Sequence, residues 1–307
     1  MIEIRRILCP IDFSDYSRRA LDHAIAIARW YESMVTVLHV FSSAPVSAIG
    51  PGPVAFEPIV LTSTDRDQLL ADVKSFASAE SAPGVTIDAV LREGNAAWEI
   101  VEQATNMKAD LLVIGTHGRS GFERLLLGSV AEKVLRKASC PVMTVPRTLP
   151  DAVPAGPVLY KRILCPVDFS DSSMDALKHA VSMAQEADGQ LIVLHVVEHE
   201  FENGAEMAGI AWDAGMTVGD FLKEREKALR RRLHEATAGA SEFCTVESLT
   251  TRGKPWREVL RVADETQSDL IVMGVQGRGP ADLLFFGSTT QHVVREAPCP
   301  VLTLRHA

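Results

Sequence analysis

The sequence predicts an α/β fold made of two tandem doubly wound, five-stranded parallel-sheet domains. Three observations predict it: short apolar segments alternate with segments of helical periodicity, a decapeptide recurs almost unchanged, and a glycine-rich loop recurs with its spacing intact. Arg6-Ile-Leu-Cys-Pro-Ile-Asp-Phe-Ser-Asp15 returns as Arg162-Ile-Leu-Cys-Pro-Val-Asp-Phe-Ser-Asp171, with a single Ile-to-Val change. Gly115-Thr-His-Gly118, nine residues, then Gly128-Ser129 returns as Gly274-Val-Gln-Gly277, nine residues, then Gly287-Ser288. The offset between copies is 156 residues early and 159 late, so the second copy carries a net three-residue insertion. A repeat of that size is a whole domain and not a solenoid unit.

The elements follow in order. Ile7 to Ile11 is a short apolar strand bounded by Asp12 and Ser14, and Ser14 suits the N-cap of a helix in which Ala20, Leu21, Ala24, Ile27 and Ala28 share a face. A strand over Met34–Val40 comes next, then a helix around Leu69, Val73 and Phe76, a strand over Val85–Leu91 and a helix over Ala97–Thr105. The strand Leu111–Gly115, the glycine loop, a helix from Ser129 to Lys137 and a strand over Val142–Val145 complete the first half. The second half repeats the order, with strands at about 163–167, 191–196, 245–251, 269–274 and 301–304. Strands apolar enough to be covered on both faces, alternating with helices, indicate parallel sheets of right-handed crossovers. Pro146 to Tyr160 holds four prolines and reads as a connector. The predicted domains are 1–147 and 159–307, with a linker at 148–158.

The chain has 307 residues, 47% of them hydrophobic and 23% charged, which suits two globular domains of ordinary size. A net charge of -9 gives no basic footprint for nucleic acid or an anionic membrane. No apolar run approaches the ~20 residues of a membrane span, and the opening residues enter a strand without a signal-peptide pattern, so a cytoplasmic protein is expected. Five cysteines with no C-x-x-C pair suit neither a disulfide framework nor a zinc site. Cys9, Cys140, Cys165 and Cys299 lie in or beside apolar strands and read as small core residues.

In a doubly wound sheet a ligand lies beyond the carboxyl ends of the strands, where the winding direction switches. Asp12 and Asp168 end the first strand of each copy, Val40 and Val196 the second, and Gly115 and Gly274 the fourth. A carboxylate there accepts hydrogen bonds from a ribose hydroxyl or an adenine amino group. Gly115, Gly118, Gly274 and Gly277 let the backbone approach phosphate, and Gly128-Ser129 and Gly287-Ser288 open helices whose free N–H groups favour an anion. Ser129, Ser288 and Thr289 add hydroxyls, and Arg119 and Arg278 are candidate cations. Pro10, Ile11, Val130, Pro166, Val167 and Gly279 complete the candidate nucleotide-binding set.

These motifs carry a resemblance. The two G-x-x-G-x9-G-S loops, the Cys-Pro-Ile-Asp-Phe-Ser and Cys-Pro-Val-Asp-Phe-Ser openings, the Leu-His-Val strand ends and the Cys-Pro-Val closings resemble the ATP-binding subgroup of the universal stress protein family, over nearly all of both halves. The resemblance implies a Rossmann-like fold of the adenine nucleotide alpha-hydrolase type. It implies adenosine held by Asp12, Val40 and the loop in one half, and by Asp168, Val196 and the loop in the other, with Mg²⁺ accompanying the phosphates. It also implies pairing of domains through the last strand, as an internal pseudo-dimer or a homodimer, and a protein partner for a nucleotide-dependent stress-response module. The second loop departs from the usual wording at Pro280 and lacks a counterpart of Arg124.

No catalytic residue is assigned. Hydrolysis needs an oriented water, a base and charge stabilisation at the leaving phosphate. No Gly-Lys-Ser/Thr loop is present, and His117 is replaced by Gln276 in the second copy. The recurrent His39/His195 and His23/His179 read as structural. The reading is therefore a nucleotide-binding module, with a slow ATP hydrolase or a nucleotide-independent scaffold as alternatives.

Overall fold

A computed structural model describes residues 2–42, 62–78, 84–116, 127–147, 160–198, 217–275 and 287–305. The chain divides into two compact units, Glu3–Val158 and Leu159–Ala307. The expected linker at 148–158 lies outside the described residues.

The first unit runs β1 (Arg6–Ile11), α1 (Asp15–Tyr31), β2 (Met34–Phe41), α2 (Ser63–Ala77), β3 (Thr86–Glu93), α3 (Ala96–Asn106), β4 (Leu111–Gly115), α4 (Ser129–Lys137) and β5 (Val142–Val145). Its strands pair in parallel in the order β3-β2-β1-β4-β5. The second unit runs β6 (Arg162–Pro166), α5 (Asp171–Glu186), β7 (Gln190–Val197), α6 (Val218–Thr237), β8 (Thr245–Arg252), α7 (Pro255–Glu265), β9 (Leu270–Gly274), α8 (Ser288–Glu296) and β10 (Val301–Leu304). Its order is β8-β7-β6-β9-β10, again all parallel. The doubly wound prediction holds in each unit, and the winding direction switches between β1 and β4 and between β6 and β9. A short 3₁₀ turn at Ala240–Glu242 has no antecedent in the sequence reading.

The central strands are apolar because helices cover both faces. Ile7, Leu8, Cys9, Val35, Val37, Leu38, Leu112 and Val113 are fully buried, as are Ile163, Leu164, Cys165, Leu191, Val193, Leu194, Leu270 and Ile271. Edge strands β3 and β8 expose polar residues instead, which discourages further strand addition. At the amino ends of the sheets one carboxylate pins each central strand. Asp110, just ahead of β4, accepts the backbone N–H groups of Arg5 (3.0 Å) and Arg6 (2.9 Å). Asp269 does the same for Lys161 (2.8 Å) and Arg162 (3.1 Å). The opposite, carboxyl ends are thereby left for the site.

Cys9, Cys165 and Cys299 are buried and behave as small core residues, whereas Cys140 and Cys244 are half-buried. Burial pushes the Cys9 and Cys165 thiols far up, Cys299 to about 12 and Cys140 to about 11, so thiolate is scarce at neutral pH. Among the described residues no helix is long and apolar enough to cross a membrane.

His23 sits inside α1 and is only 6% exposed. Burial alone lowers its pKa from 6.5 to about 4. The folded first unit therefore holds the neutral imidazole, while the unfolded chain takes up a proton below 6.5. Stability from this group is complete above that pH and declines as pH falls toward 4. Linkage puts the loss at roughly 2 kcal/mol between pH 7.5 and 5. Denaturant unfolding at both pH values checks this: His23→Gln should flatten the pH dependence of the first unit, and an unchanged slope would exclude His23 as its origin.

Candidate functional site

Two strand ends turn into helices through the same three-residue corner. After β1, the Asp12 Oδ1 accepts the backbone N–H of Ser14 at 3.1 Å and its hydroxyl at 2.5 Å. The same Ser14 oxygen caps α1 by accepting the N–H of Ser17 at 3.2 Å. After β6, Asp168 Oδ1 accepts the N–H of Ser170 at 2.9 Å and its hydroxyl at 2.6 Å, and Ser170 caps α5 at Ser173. Between carboxylate and cap, Phe13 and Phe169 both take φ 63°, a left-handed backbone that a bulky side chain adopts only under constraint.

A histidine from the neighbouring strand completes each corner. His39 lies opposite Ile11 in the β1/β2 register. Its Nδ1 donates to the Ile11 carbonyl at 2.9 Å, and its ring centroid is 4.6 Å from that of Phe13. His195 Nδ1 donates to the Val167 carbonyl at 2.8 Å, and its ring lies 4.9 Å from Phe169. Sequence reasoning saw these histidines recur and gave them no partner. The signal was there: Asp-Phe-Ser and Leu-His-Val recur at one offset, as two strand ends in fixed register must.

The glycine positions sit across the switch point. In the first unit Gly115 ends β4, Thr116 donates its N–H to Val145 at 3.0 Å, and Gly128 donates to the Thr116 carbonyl at 2.7 Å. Gly128 is the N-cap of α4 and Gly287 the N-cap of α8, and neither helix has a side-chain cap. By contrast α1, α2, α3, α5 and α6 are capped by Ser14, Thr62, Asn95, Ser170 and Thr217. Among the described helices only α7 otherwise lacks such a cap, and it begins with Pro255, which has no N–H to satisfy. Two helix starts without a side-chain cap thus lie at the carboxyl edge of each sheet. Gly118, Arg119, Gly277, Arg278 and Gly279 lie outside the described residues, as do His117, Arg124 and Pro280.

In the second unit these parts enclose a cavity of about 470 Å³. Pro166, Val167 and Asp168 from the end of β6 line it, together with Val196 from β7. Gly274, Gly287, Ser288 and Thr289 close the opposite side. All the predicted residues of this half that are described therefore meet in one cavity. His195, Glu198, Leu229, Arg232, Pro255 and Val259 also line it and were not predicted. Leu229 and Arg232 come from α6, whose flanking segment differs between the copies, so periodicity gave a helix without showing which turn faces the site. In the first unit Pro10 and Ile11 are buried at the end of β1, followed by half-buried Asp12. Val40, Gly115, Gly128 and Val130 are half-buried and Ser129 is exposed.

The cavity has an acceptor at one end, the Asp168 carboxylate, and the amides and hydroxyls of α8 at the other. A family model described as the universal stress protein family matches residues 3–146 and again 159–305.

This chain belongs to the universal stress protein family.

A universal stress protein of Methanocaldococcus jannaschii is 41% identical over 142 residues, covering 46% of this chain and 81% of that protein. One from Mycolicibacterium smegmatis is 26% identical over 308 residues, covering 97% of this chain and 96% of its own length. The crystal structure of a universal stress protein from Archaeoglobus fulgidus matches with a TM-score of 0.63 at 21% identity, covering 99% of this chain and 97% of that one. That likeness confirms the fold, and the two matches of the family model give two universal stress protein domains in succession.

Within this universal stress protein the two glycines flanking the second loop have unequal tolerance. A Cβ on Gly274 would lie 2.7 Å from the Ser172 carbonyl carbon and 2.8 Å from its oxygen, whereas one on Gly287 meets nothing closer than 3.4 Å. Gly274→Ala should therefore push the first turn of α5 off β9 and cost roughly 1–3 kcal/mol of second-unit stability. Gly287→Ala should cost about 1 kcal/mol or less. Denaturant titration of both variants measures the difference, and equal losses would refute the close packing.

Proposed function

We propose that this universal stress protein binds adenine nucleotide, ATP in the first instance, with one site in each domain, and acts as a nucleotide-dependent stress-response module. The observation that carries this reading is the cavity at the switch point of the second unit. Its volume falls within the roughly 300–1,000 Å³ of small-molecule sites. Its polar groups are placed for a molecule with an anionic tail and a hydrogen-bonding head.

The residues divide the work by their chemistry. The N-terminus of α8 offers backbone N–H groups and the positive end of the helix dipole to the phosphates, supported by the hydroxyls of Ser288 and Thr289. Thr290 donates its own hydroxyl to the Gly274 carbonyl at 3.4 Å and so ties the helix start to β9. Asp168, already oriented by Ser170, accepts from ribose or base. Val167 and Val196 supply the apolar walls that exclude water around the nucleoside. In the first unit Asp12, Val40, Gly115, Gly128 and Ser129 take the same roles. Magnesium would enter with the phosphates and neutralise their charge; no side chain is assigned to it.

Among the described lining residues the imidazole is His195, whose Nδ1 donates to the Val167 carbonyl; no general-base role is assigned to it, and the reading is retention of nucleotide and not turnover. A nucleotide held this way biases the conformation of the residues around it, which is the requirement for a ligand-dependent contact with a partner.

The test uses ligand-stripped full-length protein titrated calorimetrically with magnesium and ATP. Two equivalents per chain are expected. Asp12→Ala and Asp168→Ala should each weaken one of them by at least tenfold, the scale of losing a charge-assisted hydrogen bond. Absence of any binding at millimolar ATP would refute the reading. Sustained phosphate release abolished by either substitution would favour the slow hydrolase instead.

A further inference from the structure

We propose that the second-domain site accepts 6-oxopurine as well as 6-aminopurine nucleotides, with Arg232 as the residue that reads the base. This rests on the nucleotide reading above and goes beyond it by making the two sites chemically unequal.

The difference lies on the ring of the corner phenylalanine. In the first unit Phe13 packs edge-on against Phe76, with centroids 5.6 Å apart at 90°. The nearby guanidinium, Arg18, lies 3.7 Å over Phe76 and so stacks on that second ring. In the second unit the Arg232 guanidinium from α6 lies 4.2 Å over Phe169 itself. Arg232 also lines the cavity, in company with Asp168 and Glu198.

Position in the cavity decides what Arg232 would touch. The uncapped start of α8 approaches from the β9 side and takes the phosphates. Asp168, at the end of β6, and Glu198, beyond the end of β7, lie on the other side of the switch point, and Arg232, stacked on Phe169 next to Asp168, is assigned to that base end. An arginine held by cation–π attraction is positioned at small entropic cost and retains a fork of N–H donors with no acceptor.

Base chemistry then separates the two sites. The 6-amino group of adenine donates, so a carboxylate alone is complementary to it. A 6-oxopurine presents O6 and N7 as acceptors beside N1–H and, in guanine, an amino group, which together require a donor and an acceptor side by side. Among the described residues the first unit has Asp12 beside Phe13, with the Phe76 ring against Phe13 and the Arg18 guanidinium stacked on Phe76 and not on Phe13. The second has Asp168 and Glu198 as acceptors with Arg232 as donor.

The experiment titrates the stripped full-length chain with ATP and, separately, GTP, both with magnesium. ATP should fill two equivalents and GTP one. Arg232→Phe, which restores the hydrocarbon wall of the first unit, should weaken GTP at least tenfold while changing ATP by less than about threefold. Arg232→Lys keeps the charge without the planar fork and should weaken GTP similarly. Retained ATP binding in each variant reports that the domain is folded. Two ATP equivalents with no GTP binding, or GTP binding unchanged in Arg232→Phe or Arg232→Lys, would overturn the inference and leave the nucleotide reading intact. Failure of ATP and GTP alike would remove both.

Discussion

The structure of each domain depends on one carboxylate at the end of its first strand. Asp12 and Asp168 each hold a serine by both its N–H and its hydroxyl, and that serine caps the following helix. Closing this ring forces a phenylalanine into the left-handed region, at a cost on the order of 1–3 kcal/mol. Hydrogen bonds to a charged acceptor return about 1.5–3 kcal/mol each, and the contact with the histidine ring adds roughly 0.5–1.5. The corner is therefore over-determined, and its geometry survives any single weak contact. Because the strand exit is fixed, the direction of α1 and α5 is fixed too, and the crevice at the switch point stays open.

The other side of that crevice follows the opposite rule. Where the first helices are capped by their own side chains, α4 and α8 begin at glycines that claim no N–H. The stability cost is small, since glycine at an N-cap falls only a few tenths of a kcal/mol short of serine. What it leaves is a helix start whose N–H groups are not taken by a side-chain cap, at the positive end of the helix dipole. In each unit the first-strand side of the switch point is thus rigid and acceptor-rich and the helix-start side donor-rich, and the fold itself separates them by the width of the switch point.

Much of this was legible in the sequence, for identifiable reasons. Strand ends such as Ile11 and Gly274 could be placed because buried parallel strands are short, apolar and sharply bounded by residues that cannot continue them. The gathering of Asp168, Val196, Gly274 and Ser288 followed from winding rules that need no side-chain detail. The partners of His39 and His195 were missed because a hydrogen bond to a backbone carbonyl leaves no trace in residue identity; only strand register reveals it. Leu229, Arg232 and Val259 were missed because they reach the cavity from helices, where a rotation of one residue moves a side chain by 100°. Nothing in a periodic pattern fixes that rotation when the preceding segment is unlike its counterpart.

That contrast explains where the two domains have been free to diverge. The decapeptide that builds the corner differs at one apolar position, because altering its carboxylate, phenylalanine or serine would release strain with nothing to replace the lost contacts. The insertion falls between the second and third strands, where α6 runs to 20 residues against 15 for α2. Arg232 there is exposed and rests on a ring face, so exchanging it changes stability little, in line with surface substitutions generally. A similar liberty appears at the helix starts: α4 carries Glu132 in its first turn, neutralised by Arg136 at 2.9 Å, while α8 has no acidic residue there. A bound anion at α8 would meet no opposing charge on the helix, and one at α4 would meet a paired one. Duplication has kept the strained frame at the strand ends and left the residues around the second-unit cavity open to change.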